Sequence, residues 1–234
     1  MINQTMSEKV RLLFEKQVVH LVLLILLLGL VSAASSAGGL LTGSLWNVST
    51  ATWFYIAIAV PVVHQVFVWF VWRTQLHFSL ITRSFGQAGF TYYAVIFFLL
   101  FFSRLVLIII LAISNKNNLQ FNQFILYGLA VILFIPNVFL LQSVAKYFGY
   151  KRALGIDHFD PSYRNIPMVK EGIFRLTGNA MYIFGFFILW IPGLLASSSA
   201  ALMVALFNHT YIWVHYFTTE KPDMDMLYGI HEDS

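Results

Sequence analysis

The stretch EGIFRLTGNAMYIFG, residues 171–185, separates a polar, basic segment from one that is apolar for most of thirty residues. Asn179 is a favoured residue at helix N-caps, and Gly178 lets the backbone approach a ligand closely. The amides at a helix start attract carboxylate or phosphate groups. Arg175 is compatible with a charged fork beside them or with a contact to a lipid phosphate. The stretch therefore predicts a helix that begins at a membrane surface and binds a small anionic group there.

The composition of the whole chain places it in a membrane. Of its 234 residues, 59% are hydrophobic and only 10% are charged, whereas a soluble domain carries about 25% charged residues. Six apolar runs approach the length that spans a bilayer. They cover residues 17–40, 51–72, 90–113, 121–142, 180–196 and 198–217. We predict an all-α integral membrane protein with six transmembrane helices, the last two forming a helical hairpin joined by SSS at 197–199.

The chain divides into two regions of different character. Residues 1–142 predict four membrane helices with short connections, and the first apolar run is too long for a signal-peptide core, so we expect it to be retained. Residues 143–234 contain a long polar loop, the hairpin and a charged tail. Long ordered loops are uncommon unless they are functional. We therefore expect the second region to carry the function.

The basic residues predict the orientation in the membrane. Under the six-helix interpretation, one side holds twelve of them and the opposite side holds Lys116 alone, with Arg104 inside a helix. The twelve are Lys9, Arg11, Lys16, Arg73, Arg83, Lys146, Lys151, Arg152, Arg164, Lys170, Arg175 and Lys221. Basic residues accumulate on the cytoplasmic side of membrane proteins. Both termini and the 143–178 loop are therefore expected in the cytoplasm. Membrane orientation accounts for the Lys and Arg residues, so binding of nucleic acid is not needed to explain them.

Chemistry that depends on cysteine is excluded, because the sequence has no cysteine. Disulfides, thiolate metal sites and cysteine nucleophiles are therefore absent. The spacing of the histidines and carboxylates predicts no metal site.

Several ionisable or polar side chains fall inside the predicted helices, where such residues are functional candidates. Arg104 is expected to face the bundle and to pair with a carbonyl, a lipid phosphate or a substrate anion. His64 and Gln65 are compatible with a cavity lining or with hydrogen bonds between helices. His20 lies near a helix end and is compatible with snorkelling to the interface.

The last predicted helix carries a polar stripe. Helical spacing places Asn208, Tyr211, His215 and Thr218 on one face, leading to Glu220. The same residue types also form hydrogen-bonded seams between helices, so both interpretations stay open. The hairpin would bring Glu220 to the helix start at 178–179. An anion-binding helix start beside a carboxylate suits a zwitterionic ligand.

Three stretches of the second region resemble the phosphatidylethanolamine N-methyltransferase family, within the membrane methyltransferases that include isoprenylcysteine carboxyl methyltransferases. They are LGIDHF at 154–159, GIFRLTGNAMY at 172–182 with Gly185 following, and TYIWVHYFTTEKPDMDMLYG at 210–229. Three positions depart from the family pattern: Ala180 replaces a proline, Gly178 an arginine, and Lys221 the second acid of a Glu-Glu pair.

The resemblance implies that S-adenosylmethionine binds at the cytoplasmic membrane surface. By position, it assigns cofactor contacts to Gly155, Arg175, Gly178, Asn179, Met181, Tyr182, Gly185 and Glu220. We add three hypotheses for the base that accepts the proton of the methyl acceptor, namely His215, Glu220 and His158. We also expect Arg104, Asn208 and Tyr211 to contact the substrate.

The resulting hypothesis is an S-adenosylmethionine-dependent membrane methyltransferase that acts on a lipid or lipophilic acceptor, with phospholipid amine N-methylation favoured. One alternative is methylation of an isoprenylcysteine carboxylate or a small thiol, for which Arg104 or Arg175 would matter more. Another alternative is a non-catalytic membrane subunit. The sequence is compatible with a bacterial inner membrane and with the endoplasmic reticulum.

Overall fold

The computed structural model describes residues 5–36 and 38–229, and almost all of the regular structure in them is helical. The first half contains α1 (Met6–Leu13), α2 (Gln17–Ser35), a two-stranded antiparallel hairpin of β1 (Ser44–Leu45) and β2 (Val48–Ser49), α3 (Thr50–Phe78), α4 (Leu80–Phe85), α5 (Gly89–Ser114) and α6 (Gln123–Ser143). A π-turn at 144–148 ends α6, and α7 (Tyr150–Ala153) follows it. The second half ends with α8 (Ala180–Phe184), α9 (Ile191–Leu195), α10 (Ser199–His215) and α11 (Lys221–Tyr228).

Four helical segments are long and apolar enough to cross a membrane. They cover Met6–Ser35, Thr50–Phe78, Leu80–Ser114 and Gln123–Phe148, with mean hydropathies of 2.6, 2.0, 3.0 and 2.5. Large apolar side chains such as Leu99 and Phe124 are exposed on their outer faces, as expected where lipid replaces water. The first four predicted helices are thereby confirmed as long apolar helices, although the first one ends at Ser35 and not at residue 40.

The fifth predicted helix is confirmed only as a shorter apolar segment, Ala180–Leu195. Within this segment a 3₁₀ stretch at 185–189 separates α8 from α9. The start of the charged tail is helical, since a π-helical turn at 216–220 joins α10 to α11. The last residues of the predicted tail, 230–234, lie outside the described residues.

The sixth predicted helix, α10, lies at the centre of the bundle. Ala201, Val204, Ala205 and Tyr211 on it are completely buried, and it packs against α2, α3, α5 and α9. Phe54 and the neighbouring helices complete this apolar core. The polar stripe of α10 is therefore enclosed by other helices and does not face lipid.

Asn115 fixes the end of the bundle at which the hairpin turns. Its Nδ2 donates to the carbonyls of Leu40 and Thr42, at 3.1 and 2.8 Å. Its Oδ1 accepts from the Ser198 hydroxyl at 2.9 Å and from the Ala200 amide at 3.1 Å. Ser198 is also the N-cap of α10. We call the opposite end, where residues 144–179 connect α6 to α8, the loop end.

Candidate functional site

The beginning of α8 and the end of α10 meet at the loop end. The rings of Tyr182 and Tyr216 lie 4.9 Å apart, and the Asn179 side chain interacts with the Tyr216 hydroxyl. The Tyr182 hydroxyl interacts with the carboxylate of Glu220. We call these four residues the Glu220 cluster. The predicted proximity of Glu220 to the 178–182 segment is therefore present in the fold.

The environment of Glu220 favours its neutral form. Burial raises the pKa of the Glu220 carboxyl to about 7, while Tyr182 and the His158 ring act in the opposite direction. Asp157 and Asp223 raise this pKa further. A carboxyl with such a pKa changes its charge near neutral pH, and a bound cation would stabilise its ionised form.

The start of α8 differs from the sequence expectation. Asn179 occupies the N-cap position but its side chain makes no capping hydrogen bond, so the predicted cap is wrong. The helix is only five residues long, and a strong macrodipole needs a longer one. Gly178 agrees with the expectation that a ligand can approach the backbone closely here, since no atom lies within 4 Å of where its Cβ would be.

A cavity of about 420 Å³ opens beside Gly178. Arg175 and Lys170 contribute cationic groups to its lining, and Met168 and Phe174 contribute apolar surface. Met181 is not part of this lining and packs against the apolar cluster of Leu140 and Phe174. The cavity therefore combines positive charge with an apolar floor, next to the Glu220 cluster.

Two glycines that the resemblance assigned to the cofactor pack against protein side chains. Gly155 has φ +76°, and a Cβ on it would lie 2.5 Å from Cζ2 of Trp72. A Cβ on Gly185 would lie 3.2 Å from Cδ2 of Leu140. Its carbonyl accepts a hydrogen bond from Asn137. Close packing against Trp72 and Leu140, together with the positive φ of Gly155, is enough to explain both glycines.

Substitution of Gly155 by Ala is expected to destabilise the fold. The left-handed conformation costs an L-residue about 1–2 kcal/mol, and the contact with Trp72 adds to that cost. The unfolding temperature in detergent measures the effect. Gly178→Ala is the matched control, because the Cβ added there meets no neighbouring atom. Equal unfolding temperatures for the two variants would contradict this packing role.

His158 lies in a buried ionic network near Gly155. Its Nδ1 is 3.4 Å from Oδ1 of Asp157, its Nε2 is 3.5 Å from Oδ2 of Asp223, and its ring stacks on Trp72 at 4.3 Å. Burial acts to lower the pKa of His158, but the two carboxylates outweigh it and raise this pKa to about 9. The ring is thus protonated at neutral pH, which favours a positioning role over that of a base.

The same network holds the 150–165 segment against α11. Asp223 forms an ion pair with Arg73 of α3 at 2.5 Å. The Tyr228 hydroxyl donates to Oδ2 of Asp157 at 2.9 Å, and Arg152 contacts that hydroxyl at 3.3 Å. Sequence reasoning missed these partners. One available signal was Asp223 itself, which follows Glu220 by three residues, the spacing of one helix face.

The remaining candidates lie in the middle of the bundle. Arg104, Asn208, Tyr211 and His215 are all buried. Tyr211 shares a hydrogen bond of 2.8 Å with Nε2 of His20, and Asn208 Nδ2 donates to the Val204 carbonyl of its own helix. Arg104 interacts electrostatically with Tyr211 and with His215, and His215 lies five residues before Glu220 in the sequence.

Comparison with known proteins identifies relatives of the second half. Residues 125–231 match the family model described as phospholipid methyltransferase. A phosphatidylethanolamine N-methyltransferase of Scheffersomyces stipitis is 28% identical over 129 residues, which are 50% of this chain and 14% of the relative. One of Candida dubliniensis is 30% identical over 132 residues, 49% of this chain and 14% of the relative. The chain thus matches about a seventh of the length of these relatives. No solved structure matches it.

Proposed function

We propose that the chain, whose residues 125–231 match the phospholipid methyltransferase family model, is a member of that family and an S-adenosylmethionine-dependent methyltransferase that methylates the amine of a phospholipid. The observation that carries the proposal is that the matched segment contains the whole Glu220 cluster. The names of the two fungal relatives favour a phospholipid amine over a prenylcysteine carboxylate or a thiol.

The residues present fit S-adenosylmethionine. Its sulfonium is a cation, which the Glu220 carboxylate and the faces of Tyr182 and Tyr216 would stabilise. The cavity beside Gly178 carries Arg175 and Lys170, which suit the carboxylate of the same molecule. Met181, Gly155 and Gly185 remain proposed contacts. When bound, S-adenosylmethionine supplies an electrophilic methyl group.

The chain's own residues would orient and deprotonate the acceptor. A phospholipid amine is protonated in water and must lose a proton before its nitrogen can form a bond to carbon. His215 is the proposed acceptor of that proton, because its ring nitrogens are buried and without hydrogen-bond partners on the polar stripe of α10. Glu220 is the second choice. The surrounding helices exclude water from this region.

The proposed orientation places the loop end in the cytoplasm. The support is the excess of Lys and Arg on that side, including Arg73, Arg175 and Lys170. In this arrangement six helical segments traverse the membrane, and both termini and the 143–178 segment are cytoplasmic. A phospholipid of the cytoplasmic leaflet could reach the Glu220 cluster laterally between helices.

Calorimetry on the purified protein in lipid-supplemented detergent tests the cofactor assignment. We expect micromolar binding of S-adenosylmethionine. A folded sample that binds none would overturn the proposal and favour a non-catalytic membrane subunit.

The affinity for S-adenosylmethionine is expected to depend on pH through Glu220. The ionised carboxylate binds the cation, and the pKa of this group is about 7. Protonation below that pH therefore weakens binding, by about tenfold between pH 8 and pH 6. Calorimetry at both pH values measures the change. Glu220→Gln should remove most of this pH dependence, and an equally steep profile in that variant would assign it to another group.

A further inference from the structure

Four side chains on three helices form a second polar cluster in the middle of the bundle. They are His64 of α3, Arg104 of α5, and Asn208 and His215 of α10, and we call them the Arg104 cluster. Each is at most 3% exposed. Both ring nitrogens of His64 and of His215, Nε and Nη2 of Arg104, and Oδ1 of Asn208 have no hydrogen-bond partner. Buried polar groups are nearly always paired, so this concentration needs a physical explanation.

The Arg104 cluster is positively charged without a matching carboxylate. Within residues 5–36 and 38–229, the ion pairs join Arg73, His158 and Lys221 to acids, and Arg104 takes part in none of them. His64 interacts electrostatically with Arg104 and His215. A buried charge without a partner is strongly unfavourable, and a bound anion would compensate it.

The unpaired atoms of Arg104 define the shape of that anion. Nε and Nη2 form one edge of the guanidinium, with two parallel N–H groups that match two oxygens of a phosphate or carboxylate. The two imidazole rings add possible donors, and His64 and His215 both interact electrostatically with Arg104. His215 lies five residues before Glu220, and the π-helical turn at 216–220 connects the two. Since Arg104 and His215 interact electrostatically, a phosphate bound at Arg104 would leave an attached amine near His215.

We propose that the Arg104 cluster binds the phosphate of the phospholipid whose amine is methylated. This inference rests on the proposed function and adds to it the residues that select a phospholipid over other lipophilic amines. Arg104 is then a specificity-determining residue inside the bundle, and the headgroup enters between the helices.

Lipid binding without S-adenosylmethionine tests this inference separately from catalysis. Delipidated protein is titrated with dioleoyl phosphatidylethanolamine, with dioleoylglycerol and with inorganic phosphate, and native mass spectrometry measures occupancy. We expect Arg104→Gln to weaken binding of the phospholipid at least tenfold and to leave dioleoylglycerol unaffected. Lys116→Gln removes an exposed charge just beyond the end of α5. This control should change binding of neither the phospholipid nor dioleoylglycerol. Phospholipid binding that is equal in wild type and Arg104→Gln would overturn the inference, as would saturation by phosphate alone without lipid.

Stability measurements separate a binding role from a structural one. Arg104→Gln should unfold at the same or a higher temperature than wild type when lipid is absent, because it removes an uncompensated buried charge. Added phosphatidylethanolamine should raise the unfolding temperature of wild type and not that of the variant. A lower unfolding temperature of the lipid-free variant, with unchanged stabilisation by lipid, would assign Arg104 to the fold alone. The two claims can fail separately. If Arg104→Gln abolishes phospholipid binding but the wild-type protein transfers no methyl group, this inference stands and the proposed function is overturned.

Discussion

Replacing Glu220 by Gln is expected to weaken S-adenosylmethionine binding by about 10–150-fold at pH 8, the range that corresponds to loss of one charged hydrogen bond of about 1.5–3 kcal/mol. The substitution keeps the size of the side chain and removes the negative charge that faces Tyr182. Since burial already favours the neutral form of Glu220, the neutral variant should fold normally. Equilibrium dialysis with labelled cofactor measures the dissociation constant.

Glu171→Gln is the matched control for Glu220→Gln. Glu171 is an exposed carboxylate on the same side of the bundle, and the backbone amide of Lys170 donates to it. Its replacement should leave the dissociation constant within about twofold, because surface charges contribute little. Equal effects of the two substitutions would show that net charge at the loop end, and not the Glu220 cluster, governs binding.

The second large effect, a loss of stability, is expected when the ion pair between Arg73 and Asp223 is broken. Both side chains are 1% exposed, and Arg73 also donates to the carbonyls of Leu12 and Thr219. Removal of Arg73 leaves the buried Asp223 carboxylate with only His158 facing it, at 3.5 Å, and breaking a buried ion pair costs about 3–5 kcal/mol. Arg73→Met should therefore lower the free energy of unfolding by that amount. Reversible unfolding of the protein in mixed micelles measures it.

A double substitution and a surface control test the origin of this loss. Arg73→Met combined with Asp223→Leu should recover much of the stability, since both charges are then gone. Arg83→Met removes an exposed base near the end of α4 and should change stability by less than about 0.5 kcal/mol. A double variant that is as unstable as the sum of the two single variants would argue against pairing as the main contribution.

The apolar runs predicted most of the fold because a membrane helix is determined by local composition and length. The last helix was harder to interpret from composition, since its Asn208, Tyr211 and His215 reduce its hydropathy. Their enclosure by α2, α3 and α5 depends on packing between distant segments. The 3₁₀ stretch between α8 and α9 was not predicted. The run from residue 180 to 196 is apolar throughout, and the sequence around Gly185 does not distinguish a 3₁₀-helix from an α-helix.

The candidate site could be predicted where it depends on one short stretch and not where it depends on distant contacts. Glu220 and the 178–182 segment were expected to meet because a hairpin joins them. The ion pair of Arg73 with Asp223 joins residues 150 positions apart, and nothing local indicates that either is buried. His158 was a base candidate from its residue type alone. Its flanking carboxylates became apparent only in three dimensions.

Transfer of a labelled methyl group to phosphatidylethanolamine in reconstituted vesicles tests the central claim most directly. The vesicles contain wild-type protein and receive methyl-labelled S-adenosylmethionine, and extracted lipids are separated by headgroup. We predict labelled N-methylated phospholipid with wild type and background levels with Glu220→Gln. Folded wild-type protein that binds the cofactor but leaves the phospholipid unlabelled, or labels only an added prenylcysteine or thiol, would contradict the account.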